Sequence, residues 1–190
     1  MPLIRYAFAT LCFASAAIAQ ASDWQYAGYS KIGQDEYFLF YDAEGVQRPS
    51  TTVARYWLKA MTRASVDLYS TKHAKVVVEK TAQKVAVGYV PSFYKLAPIR
   101  AQYASPDALL DAVIEISGYE VVANERDALV KNKLYFELDC RERKSKLLEM
   151  ITYDTKGNLL RKGGSAQNRY EFIPPDSNGE WQSQLICALR

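Results

Sequence analysis

The chain holds three cysteines, and only Cys140 and Cys187 lie outside the N-terminal leader, so they form the only intramolecular pair the rest of the chain can make. Their surroundings differ in period. Leu134, Phe136, Leu138 and Cys140 alternate with Tyr135, Glu137, Asp139 and Arg141, the two-residue repeat of a strand with one apolar and one polar face. Cys140 thus points toward the core. Cys187 follows the Pro174-Pro175 break, after which Asp176 or Ser177 can cap a helix running to about Leu189. Trp181, Leu185 and Ala188 fall at i, i+4 and i+7, a stripe that would lie on the sheet and bring Cys187 near Cys140. In the chain-entropy account, closing a loop of that length contributes about 4 kcal/mol, less any native strain.

Residues 1–21 read as a secretory signal: Arg5 is the lone charge, an apolar run follows, and Ala17-Ile18-Ala19 or Ala19-Gln20-Ala21 offers a small-x-small cleavage site. The run is shorter than the roughly 20 apolar residues that span a bilayer. Cys12 is preceded by Leu11, where lipid attachment needs a small residue, so no stable membrane anchor is expected. The mature chain of residues 22–190 has the size of one domain, and export to an oxidising periplasm, or beyond it to the cell surface, would let a disulfide persist. Without Arg5, 23 basic residues face 21 acidic ones, a balance that argues against nucleic acid or a general membrane-surface role.

Strands are expected over residues 24–29, 36–41 and 52–59, an antiparallel meander with turn chemistry at Asp42-Ala43-Glu44-Gly45. Residues 146–153 and 158–161 form a hairpin across Asp154-Thr155-Lys156-Gly157, and residues 162–168 form a polar loop. Fourteen tyrosines suit half-buried sheet faces. The middle, residues 61–133, has a different texture. Ala74, Val77, Val78, Thr81, Ala82 and Val85 make one face of a helix, with a strand through Val76-Val77-Val78 as the rival. Ser105 caps a second helix with Pro106 at its first position and an apolar stripe of Leu109, Leu110, Val113 and Ile114 ending at Gly118. Gly88-Tyr89-Val90-Pro91 and Ala97-Pro98 mark an irregular crossing between them. Residues 64–106 carry six basic and two acidic residues, residues 107–128 one basic and six acidic. Those halves either face each other or polarise the surface. The fold class is therefore α+β: an antiparallel sheet of about six strands, a C-terminal helix and a partly helical middle.

No residue set specifies a reaction. His73 is the only histidine and sits in a basic, solvent-facing context, and no nucleophile elbow is present. A metal site would need more ligands than one histidine and an oxidised cysteine pair provide, and no Cys-x-x-Cys or phosphate loop occurs, so no cofactor is expected. Glu137 and Asp139 share a strand face and suit cross-strand pairing with Lys144 or Lys146 better than hydrolysis. Arg141, Arg143, Lys144 and Lys146, with Arg161 and Lys162 on the adjoining strand, are the surface feature to weigh as a ligand site. Clustered cations attract a sulfated glycan, an acidic protein segment or an anionic headgroup, although charged edges also serve to block strand-to-strand aggregation.

Several segments together resemble the surface-adhesin protein E family of Gram-negative bacteria: Tyr41-Asp42 before a turn, the Tyr56-Trp57 strand, the run from Tyr135 through Cys140 to Arg143, Tyr153-Asp154-Thr155-Lys156-Gly157, and Ile173-Pro174-Pro175-Asp176-Ser177-Asn178-Gly179-Glu180 with Cys187. The resemblance covers residues 24–59 and 134–187, with the middle as an insertion. It implies a sheet tied to its C-terminal helix by a Cys140–Cys187 bridge. It also implies attachment to host extracellular-matrix proteins such as vitronectin and laminin. The chain departs from the pattern in lacking a lipid anchor and in its long middle segment. The combined expectation is a non-enzymatic envelope protein that binds another protein or an anionic ligand, with a host adhesin as the alternative and a carboxylate hydrolase behind both.

Overall fold

The structure, a computed structural model, describes residues 22–164 and 169–189. The proposed leader lies outside the described residues, as does most of the polar loop expected over 162–168. Six strands run antiparallel in chain order: β1 (Trp24–Ile32), β2 (Asp35–Asp42), β3 (Val53–Thr62), β4 (Val130–Asp139), β5 (Lys144–Tyr153) and β6 (Leu159–Gly163). A two-residue β7 (Glu171–Phe172) pairs with the start of β5. Gly33 turns the first hairpin at φ 64°, a conformation glycine adopts without a Cβ penalty.

All the helices but the last fall between β3 and β4, which nevertheless pair directly with each other, Met61 opposite Val130. The middle segment is thus a helical excursion from two neighbouring strands. It comprises α1 (Arg63–Lys72), α2 (Ala74–Ala86), the short α3 (Ser92–Lys95) and α4 (Ala97–Arg100), and α5 (Pro106–Glu125). Residues 76–78 are helical, so the rival strand does not form. Ser105 caps α5 as expected by accepting from the Ala108 N–H at 3.1 Å, but the helix runs past Gly118 to Glu125. Gly118 lies inside it at the crossing with α2, where a Cβ would stand in van der Waals contact, 3.4 Å from Thr81 Oγ1.

Both sheet faces are covered. Trp24, Tyr26, Phe38, Phe40 and Met61 pack under α1 and α5, with α2 stacked on α5 as an outer layer. On the opposite face Leu39, Tyr41, Tyr56, Leu58 and Leu138 pack against Leu185 and Ile186 of α6 (Asn178–Ala188). The aromatic residues serve the sheet: Tyr56 stacks on its register partner Phe136, and Trp57 on Tyr135. Cys140 and Cys187 form a disulfide with Cα atoms 5.8 Å apart, which ties α6 to the end of β4. The buried stripe of α6 differs from the expected one. Gln182, Ser183, Leu185 and Ile186 are buried while Ala188 is exposed, so the helix is rotated toward Ile186. Arg48 fixes that rotation by donating to the carbonyls of Ile186 and, at 2.6 Å, Leu189.

Candidate functional site

The charge division of the middle segment resolves in the contact between α2 and α5. Lys80 pairs with Glu125, and Lys84 donates to Glu120 Oε2 at 3.3 Å, so the basic and acidic halves face each other. Glu120 is fully buried. Its Oε1 accepts from the Tyr26 backbone N–H at 2.9 Å, and its Oε2 accepts from the Tyr89 hydroxyl at 2.7 Å. Burial raises its pKa above the usual carboxylate range, against the pull of Lys84 and these hydrogen bonds. One turn on, Asn124 accepts from the Trp24 N–H at 2.9 Å and donates to the Trp24 carbonyl at 3.0 Å. Lys59, also fully buried, reaches the Ala123 carbonyl and Asp127 beneath the Trp24 ring. Its pKa is pushed down to about 8 by burial, which the Asp127 carboxylate only partly offsets. These polar groups anchor the helices to the sheet.

Above that anchor the outer helices do not close. Val78, Ala82 and Val85 of α2 and Ile114, Gly118 and Tyr119 of α5 line a groove of about 580 Å³. That lies within the roughly 300–1,000 Å³ of small-molecule sites, which are mostly apolar with a few polar groups. Val78 is 66% exposed and Ile114 42%, large side chains with an apolar face and no cover among the described residues. Ser70 and Thr81 also line the groove, and the hydroxyl oxygen of each is buried without a hydrogen-bond partner. A buried hydroxyl left unpaired costs about 1–3 kcal/mol, a cost borne behind the apolar wall of the groove. The one carboxylate on its lining, Glu115, accepts from the Tyr119 hydroxyl at 2.7 Å.

The groove meets a second hollow at Val85, which lines both. This one, about 410 Å³, lies where α2 ends and α5 begins, with Leu110 and Val113 below and Lys95 and Arg100 from the short helices at its rim. Ile114 and Leu110 are one turn apart on α5, so the apolar floor continues from one hollow toward the other.

The sequence-selected cations lie elsewhere. Arg141 and Arg143 sit in the β4–β5 turn, where Asp139 accepts from the backbone N–H groups of Arg141 and Glu142, both at 2.9 Å. Arg143 pairs with Glu180 of α6, Lys144 with Glu142 at 3.7 Å, and Lys146 with Glu137 at 3.1 Å. Arg161 and Lys162 are opposite Thr152 and Ile151, about 17 Å along β5 from Lys146, so they do not join the row. Glu137 itself is buried. It accepts from Arg55 at 2.7 Å and from the Tyr170 hydroxyl at 2.6 Å besides Lys146, and these hydrogen bonds, that of Tyr170 foremost, pull its pKa down to about 2. His73 is exposed at the α1–α2 junction and stacks on Tyr69.

Among the described residues no group of three or more His, Cys, Asp or Glu is placed to hold a metal ion, and no helix is long and apolar enough to cross a membrane. The groove escaped the sequence reading. Its signal was present in the width of the α5 stripe: Leu110 and Ile114 belong to the apolar face, yet the sheet buries only Val113 and Ile116 beside them. Compared with protein-family models, with curated proteins and with solved structures, the chain has no match.

Proposed function

We propose that the chain is a non-enzymatic binding module of the cell envelope, exported by its leader, that takes its ligand in the groove between α2 and α5. The observation that carries this reading is an apolar hollow of about 580 Å³ whose lining residues Val78 and Ile114 are exposed. The disulfide suits an oxidising compartment. The arrangement of sheet, bridge and C-terminal helix agrees with the fold that the resemblance to surface-adhesin E implies. Glu137 and Asp139, the carboxylates a hydrolase would use, are engaged in ion pairs and a turn. Glycan turnover abolished by Glu137→Gln would overturn the non-enzymatic part of the reading.

The test of the groove is the uncharged dye Nile red, titrated into the full chain and into Ala82→Trp. Ala82 is exposed on the groove lining, so the bulkier residue fills the hollow without entering the core. Saturable dye binding that Ala82→Trp abolishes supports the reading. No binding, or equal binding by both proteins, sinks it. Attachment to host matrix proteins is the second reading, favoured by the resemblance and by Arg141, which is exposed and in no ion pair with a described carboxylate. Protease added to intact cells would digest a surface adhesin and spare a periplasmic protein.

A further inference from the structure

We propose that the ligand of this groove is a single-chain anionic amphiphile, its apolar chain lying between α2 and α5 and its acidic head held by Lys95 and Arg100. The inference rests on reading the groove as a binding site and adds the chemistry of the occupant. Three observations converge on it. The wall offers almost nothing but apolar surface, Val78, Ala82, Val85 and Ile114 foremost, so the body of the ligand is apolar. The floor extends along α5 from Gly118 through Ile114 to Leu110, eight residues or about 12 Å of helix, which favours an elongated occupant over a compact one.

The third observation is the charge at the two ends. The hollow at the start of α5 is lined by Lys95 and Arg100 and by no carboxylate. Both cations are exposed and neither pairs with a described carboxylate, so their field is available to a ligand. Glu115 lies on the lining of the other hollow and repels an anionic head there. The polarity sets the orientation: head toward α3 and α4, chain toward Thr81 and Ser70. The hollow is concave and holds one chain, which favours a free amphiphile over the surface of a bilayer.

The test is displacement of Nile red from the full chain by laurate, by dodecanol and by dodecyltrimethylammonium, three probes with one chain and different heads. Laurate is expected to displace the dye at a concentration about tenfold below either of the others. In the Lys95→Gln/Arg100→Gln double variant laurate weakens about tenfold, as two exposed cations contributing a few-fold each would give, while dodecanol is unchanged. Shortening laurate to octanoate weakens displacement about three- to fourfold for each CH₂ removed. Dodecanol equal to laurate, or a double variant with no effect, overturns the inference and leaves the binding reading intact. Dye binding with no displacement by laurate overturns it in the same way. Absence of dye binding removes both. Capture of the full chain on phosphatidylglycerol vesicles that Ala82→Trp leaves unchanged would assign the cations to a membrane and also overturn it.

Discussion

The carboxylate of Glu120, three-quarters of the way along α5, accepts the backbone N–H of Tyr26, an outward-facing group on the edge strand β1, at 2.9 Å. Asn124 accepts from the Trp24 N–H and donates to the Trp24 carbonyl. From the opposite side of the sheet Asn178 donates to the Tyr29 carbonyl. Side chains of two helices thus take the place of a missing neighbour strand. An open edge of unpaired backbone groups invites association with other chains, and here α5 and α6 cover it.

Removing Glu120 should therefore cost more than one hydrogen bond. Glu120→Ala leaves the Tyr26 N–H and the Tyr89 hydroxyl unpaired in a buried site, a loss of about 3 kcal/mol measurable by urea unfolding. Glu120→Gln keeps an acceptor for the Tyr26 N–H, turns the Tyr89 contact round so that the amide donates to the phenol oxygen, and loses the contact with Lys84. The pH dependence separates the two forms. Because the folded pKa is raised, the folded chain binds more protons than the unfolded one above about pH 4.5, and stability falls as pH rises through that window. The Gln variant lacks this fall, so it gains on the native protein as pH increases. Parallel pH profiles would contradict the assignment.

Glu137 gives the opposite sign. Its pKa is depressed from about 4.5 to about 2 by the Tyr170 hydroxyl, Arg55 and Lys146. The stabilisation is complete above the unfolded value and is lost as pH falls toward 2. The stability difference between the native protein and Glu137→Gln should shrink steadily between pH 4.5 and 2. A difference that stays constant over that range would refute the depressed pKa.

Cys140→Ser and Cys187→Ser should destabilise comparably, by at most about 4 kcal/mol, because each opens the same loop. Arg48→Ala removes donors to two carbonyls at the end of α6 and should cost about 1–2 kcal/mol. Arg48 Nη1 also lies 3.8 Å from Cys140 Sγ, so Arg48→Ala combined with Cys187→Ser should cost less than the sum of the two. Strict additivity in chemical denaturation would count against that coupling.

Gly118 separates a size limit from helix propensity. Alanine adds a Cβ at ordinary van der Waals distance from Thr81 and Val77 and should stabilise by about 0.5–1 kcal/mol, since glycine is a poor helix former. Leucine cannot fit between α2 and α5 and should destabilise by about 2 kcal/mol while abolishing Nile red binding. Stabilisation by leucine would mean that α2 does not pack as described.

Much of the fold was set by local pattern. The strand from Leu134 to Asp139, the turn at Asp154 to Gly157 and the Ser105-Pro106 helix start each arise within a few residues, and each appears in the structure; the two cysteines, 47 residues apart, were legible only as the one pair available. Two further features required the third dimension. The rotation of α6 toward Ile186 depends on Arg48, more than a hundred residues away in the chain. Glu120 and Asn124 lie past Gly118, where the sequence pattern ended the helix, and only the docking of α5 beside β1 gives them partners. The groove is of the same kind. An apolar stripe specifies that a helix has a face to bury, but how much of that face the sheet covers is fixed by where α2 is stopped, at Thr81 against Gly118. The sequence alone determined the main strands, the Ser105 cap and which two cysteines could pair, because period, capping and residue identity are written along the chain; the helical state of residues 76–78, the helices α1, α3 and α4, the uncovered groove and the occupied edge depend on contacts between elements, which only tertiary packing sets.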